Sequence, residues 1–170
     1  MGLVQLGRPG EALNNHLRAV EILRGTGSHS EGIALNNLGC ARRRVGQFEE
    51  AVAAHLAATA IYREIAERPG EARASANLAG ALIGMGRYEE AVTASRQAVE
   101  IFEAVGDPHG AALGYANTGT ALIQLSRFDE AIDVCQKALD LFRGTNDPAG
   151  ADIAYQNLFH AIHRRRGSVD

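Results

Sequence analysis

The sequence predicts an all-α protein, a right-handed α-solenoid of antiparallel helix pairs with about eight helices. Three observations carry this prediction. Gly46-Gln47-Phe48-Glu49-Glu50-Ala51 returns forty residues later as Gly86-Arg87-Tyr88-Glu89-Glu90-Ala91, and again as Ser126-Arg127-Phe128-Asp129-Glu130-Ala131. A second phrase keeps the same period: Asn37-Leu38-Gly39, Asn77-Leu78-Ala79, Asn117-Thr118-Gly119 and Asn157-Leu158-Phe159. The four prolines all stand near inferred helix starts, and β-branched runs are few. A fixed period of this length marks a stacked array, in which each unit buries its apolar face only against its neighbours.

The elements follow in order. Residues 9–24 read as a second-of-pair helix (helix B), followed by a glycine-rich turn. Residues 30–45 form a helix A and 48–66 its helix B. The next helix A runs from Glu71 to Met85, with Ala74, Leu78, Ala81, Leu82 and Met85 spaced by three and four. Pro69 suits the first turn there, and Gly84 and Gly86 mark the end. Its helix B starts at Tyr88, where Glu89 and Glu90 complement the helix dipole. Asp107 is placed to cap the helix A over 108–125. Residues 128–142 are the following helix B, and 148–166 a last helix A. The chain thus divides into a partial repeat at 1–24, repeats at 30–66, 69–105 and 108–143, and a partial repeat at 148–170.

Small residues set the packing. Ala51, Ala91 and Ala131 share one helix B site, and Ala58, Ala98 and Ala138 another two turns on. Ala41, Ala81, Ala121 and Ala161 share a helix A site. Phe48, Tyr88 and Phe128 are placed to plug the space beside each A–B turn. The repeat runs off both ends. Residues 2–12 align with 121–131, and 166–170 resemble 45–49, so an excised piece of a longer array is expected. The alternative is a natural chain that covers its ends by self-association.

Composition narrows the function. A net charge of −3 gives no global attraction to nucleic acid or anionic lipid. Cys40 and Cys135 lie too far apart in sequence to suggest a disulfide framework, so a reducing cytoplasm is the expected compartment. No apolar stretch approaches the length that spans a bilayer, and the first residues lack a signal-peptide pattern. No catalytic triad, metal cluster or phosphate loop is legible, so neither enzymatic activity nor a cofactor or metal is expected.

These residues resemble the tetratricopeptide repeat. Its pattern is a small residue in helix A, then Gly-x-Tyr/Phe-x-x-Ala into helix B, then a second alanine. Gly39, Gly46, Phe48, Ala51 and Ala58 follow it, as do Ala79, Gly86, Tyr88, Ala91 and Ala98, and Gly119, Phe128, Ala131 and Ala138. The period is forty rather than the common one of about 34, which implies longer helices. The tryptophan often found early in helix A is replaced by Leu35, Ser75, Tyr115 and Tyr155. The longer period is similar to that of kinesin light chain, of spindle-orientation adaptors and of the C-terminal arrays of bacterial multidomain regulators. The alanine- and arginine-rich wording most resembles the last group.

The resemblance implies that helix A lines a concave groove that binds a protein or peptide. Asparagine is a mediocre helix former, because its amide competes for backbone hydrogen bonds. Yet Asn37, Asn77, Asn117 and Asn157 stand in one row inside four helices. Two readings follow. The amides meet the backbone of a bound peptide, or they form a ladder bonded to the adjacent helix. Further groove candidates are Asn36, Cys40, Arg43, Arg44, Arg73, Leu113, Thr120, Gln124, Gln156, His160 and Arg164. Arg44 and Arg73 suit an acidic peptide, and Gly80 and Gly84 leave a shallow spot for a bulky side chain. His160 and His163 share a helix face but lack further metal ligands, whereas His16 and His55 share a helix B site suited to packing. Arg42-Arg43-Arg44 and Arg164-Arg165-Arg166 fan around their helix axes, so direct nucleic-acid contact is not expected. Self-association through the repeat ends and a peptide-sensing role that changes superhelical pitch are the alternatives.

Overall fold

A computed structural model describes residues 9–167. Eight helices and no strand occur among them: α1 (Pro9–Leu23), α2 (His29–Arg44), α3 (Phe48–Glu64), α4 (Arg68–Gly84), α5 (Tyr88–Val105), α6 (Pro108–Gln124), α7 (Phe128–Gly144) and α8 (Pro148–Arg166). Each helix packs on the next. The A helices also pack on one another, α2 on α4, α4 on α6 and α6 on α8, whereas the B helices stand further apart, and α5 and α7 meet only through side chains such as Arg96 and Glu130, 2.9 Å apart. A stack joined along one edge and splayed along the other curves, and the A helices line its concave side.

The shared alanine sites explain the close approach. Ala51, Ala91, Ala131, Ala58, Ala98, Ala138, Ala81, Ala121 and Ala161 expose no surface. At the A–B turns the chain reverses through a left-handed residue: Gly46, Gly86 and, without a glycine, Ser126 (φ 59°). There the amides of Gln47, Arg87 and Arg127 each bond back to the carbonyl five residues earlier, at 2.9 Å.

Three boundaries differ from the sequence reading by two residues or more, the first being the end of α3 at Glu64 rather than 66, where Ala66 turns to a left-handed φ of 55°. Helix α4 starts at Arg68 rather than Glu71, because the Glu67 carboxylate accepts from Gly70 N–H and Pro69 fits the first turn. Helix α7 continues to Gly144 rather than 142. Asp107 caps α6 as anticipated, accepting from Gly110 N–H at 2.8 Å. The helix A expected in the first residues lies outside the described residues, as do 168–170 of the expected helix B start.

Glu71, buried just inside α4, takes Arg63 Nε at 3.0 Å and an Arg68 guanidinium nitrogen at 2.7 Å. The same register in α2 holds Glu31. Its carboxylate accepts from Gly25 and Gly27 N–H, each at 2.8 Å, which holds its pKa below the usual carboxylate range. These two glutamates tie the first two B–A turns to the following helix A.

Candidate functional site on the concave face

Each A helix leaves one stripe open. In α2 it is Ile33, Asn37, Cys40 and Arg44; in α4, Arg73, Asn77, Gly80 and Gly84; in α6, Leu113, Asn117, Thr120 and Gln124; in α8, Ile153, Asn157, His160 and Arg164. Steps of four, three and four residues keep each stripe on one helix face. The forty-residue period then aligns the four stripes into rows across the groove.

The asparagine row is bonded sideways. Asn77 Nδ2 donates to Asn36 Oδ1 at 3.1 Å, Asn117 Nδ2 to the Ala76 carbonyl at 3.1 Å, and Asn157 Nδ2 to Thr120 Oγ1 at 3.0 Å. Each bond reaches the preceding A helix. At Asn117 the acceptor is a carbonyl, so the amide orientation follows from chemistry. Oδ1 of Asn77, Asn117 and Asn157 then has no donor among the described residues. The donors hold the amides in place and leave the acceptors unpartnered. Asn37 is exposed and makes no hydrogen bond among the described residues.

The remaining candidates divide. Arg44, Arg73, Gln124 and His160 are exposed on the open stripes. Neither Arg44 nor Arg73 makes an ion pair among the described residues. Thr120 is half-buried and committed to the scaffold: its hydroxyl donates to the Ala116 carbonyl at 3.0 Å while accepting from Asn157. Asn36 is not on the groove surface. It is 7% exposed, and its Oδ1 lies between Asn77 Nδ2 and His55 Nδ1, the latter at 3.0 Å. One residue of helix turns a side chain by about 100°, which takes Asn36 off the stripe that holds Asn37. The shallow spot at Gly84 is filled by the Phe48 ring, and the Arg43 guanidinium lies over Gly80, with Nη1 3.5 Å from where a Cβ would stand.

One row was missed in the sequence. Ile33, Leu113 and Ile153 are 42%, 45% and 55% exposed at matching register, and only Arg73 interrupts them. Reading outward from Leu113 by forty residues would have found the other two.

Behind the groove, His55 exposes no surface, and burial holds its pKa down to about 4, helped by Arg43. Cys40 and Cys135 are free thiols whose pKa burial raises, Cys135 to about 11, so neither is an activated nucleophile. No group of three or more His, Cys, Asp or Glu among the described residues could hold a metal ion. No described helix is long and apolar enough to cross a membrane.

Helix pairs stacked with their A helices inward define an α-solenoid repeat protein. Comparison with known families identifies which one. The tetratricopeptide repeat matches residues 1–64 and 70–144, and the chain belongs to that family. No curated protein matches it. Among solved structures, BtubC from P. vanneervenii superposes with a TM-score of 0.76 at 19% identity, covering 94% of this chain and 67% of that one. The apo form of RapI gives 0.84 at 18% identity, covering 94% and 59%, so this chain spans little over half of RapI. The nearly identical TPR-like repeats of a Podosopora anserina putative kinesin light chain give 0.78 at 20% identity, covering 96% and 82%. At these identities the likeness is one of fold.

Proposed function

We propose that the array is a non-catalytic scaffold that binds an extended protein segment along the concave face of its A helices. The observation that carries this reading is the oriented asparagine row, whose unpartnered Oδ1 atoms can accept backbone N–H donors from a segment lying across the helices. The exposed Ile33, Leu113 and Ile153 row offers sites for apolar side chains, and Arg73 and Arg44 offer sites for a carboxylate. The alanine- and arginine-rich composition supports placing the array in a larger cytoplasmic bacterial regulator, as its sensing or docking part.

Peptides selected on the array from a random display library supply the ligand for a test. Asn77→Ala with Asn117→Ala is expected to weaken such a peptide about tenfold, while losing about 1 kcal/mol of stability per ladder bond. Unchanged affinity with lowered stability would reduce the row to a structural ladder.

A second reading, self-association, rests on a different observation. Leu141 of α7 covers the cluster that contains Phe102 and Ala111. The equivalent place one repeat on is an open cavity of about 490 Å³ lined by Leu139, Phe142, Ala151 and Tyr155. Tyr155 and Phe159 of α8 are 56% and 49% exposed. If copies stack there, light scattering shows mass rising with concentration, and Phe159→Glu abolishes the rise. A strict monomer at every concentration rejects stacking.

A further inference from the structure

Arg42 occupies the register of Leu82 and Leu122, which are 3% and 0% exposed. It is half-buried where its counterparts are core leucines, and its buried Nε has no hydrogen-bond partner among the described residues. A guanidinium held in apolar surroundings without a partner favours an anion beside it. The surroundings are a groove on the convex side. Helices α1 and α3 flank it, and α2 forms the floor between them. The groove has a volume of about 280 Å³, with Leu35 and Leu38 on its floor and Leu17, Val20, Ala54 and Ala57 on its walls. Arg24 also lines it, and Glu50 is the one lining carboxylate among the described residues. From Leu35 to Arg42 the floor runs about 10 Å along α2. The next groove, between α3 and α5, measures about 250 Å³ and has Leu82 in this place. Its arginine, Arg87, is already paired with Glu90. The first groove therefore differs from its neighbour by an unpaired cation at the end of an apolar trough.

We propose that the α1–α2–α3 groove binds an aliphatic carboxylate, a medium-chain fatty acid. The chain lies along Leu35 and Leu38, and the carboxylate accepts from the Nη–H groups of Arg42, the ones not buried. This site is separate from the concave face and does not depend on its ligand. The test is a titration of the full chain with decanoate and, as a neutral control, decanol, below micelle-forming concentrations and followed by nitrogen-15 NMR. The Arg42 Nε–H resonance is expected to shift, and decanoate is expected to bind about tenfold more tightly than decanol. Arg42→Leu restores the residue found in the other repeats, so it folds and melts at a higher temperature. It loses the tenfold preference for decanoate. Glu50→Gln tightens decanoate about twofold. Equal affinity for the acid and the alcohol, undiminished binding to Arg42→Leu, or shifts that fall outside the groove each overturn the assignment. So does tight binding of an acidic, leucine-rich peptide that decanoate does not displace.

Discussion

Gly39→Ala is expected to destabilise the array by about 2–3 kcal/mol in urea unfolding, an overpacking penalty. A Cβ at Gly39 would stand 2.6 Å from the His55 ring, which is fully buried and bonded through Nδ1 to Asn36, so it has nowhere to move. The other repeats show what the packing requires. One repeat on, the pair is Ala79 with Ser95, and Ser95 is small enough to leave room for the alanine. In the third repeat Gly119 again faces a larger atom, Cys135 Sγ. Gly39→Ala combined with His55→Ser copies the second pair and is expected to recover most of the loss. If Gly39→Ala is neutral, or the double variant is no better than the single, size complementarity does not govern this contact.

The second large effect is pH-dependent. His55 folds with its pKa held down to about 4 by burial, and by Arg43, against about 6.5 in the unfolded chain. Between those values the unfolded state binds a proton that the folded state refuses. Stability is therefore fully present above about pH 6.5 and falls as pH drops through that window, by about 3 kcal/mol once pH reaches 4. Burial also leaves an added proton without a hydrogen bond. Nδ1–H donates to Asn36 Oδ1, and the buried Nε2 has no partner among the described residues to receive an added N–H. Glu31, Glu90 and Glu130, whose pKa values hydrogen bonds lower, begin to lose their contribution as pH falls through the ordinary carboxylate value, so they add to the fall only at the acid end of this window. Urea midpoints measured from pH 7 to pH 4 are expected to fall for the native chain and to stay flatter for His55→Ser. Parallel curves would remove His55 as the cause.

The repeat, the helix pairs and the small-residue sites were legible because they depend on periodicity and propensity, which are local. The asparagine row was legible for the same reason. What escaped depends on the direction in which a single side chain leaves its helix. Asn36 and Asn37 are adjacent in sequence, yet one is buried against His55 and the other is exposed. The Arg42-Arg43-Arg44 run likewise splits three ways: Arg42 lines the convex groove, Arg43 covers Gly80 and Arg44 stands on the concave stripe. Gly84 suggested open space, but Phe48, thirty-six residues earlier, fills it. The two readings of the asparagine row, ladder and groove, looked exclusive in the sequence. An amide has two ends, and here the donors serve the ladder while the acceptors keep no partner among the described residues.

The central claim is that the concave face is the binding surface, and exposed positions test it without disturbing the fold. Arg73 and Leu113 lie on open stripes, and their charge-reversing or charge-introducing variants are expected to change stability by less than about 0.5 kcal/mol. The most direct measurement is calorimetric titration of a library-selected peptide into the native chain, into Arg73→Glu/Leu113→Asp, and into Thr93→Asp/Gln97→Asp on the convex side of α5. The expected result is a loss of at least about tenfold for the concave pair and no change for the convex pair. Full affinity in the concave pair, or a loss confined to the convex pair, would contradict it.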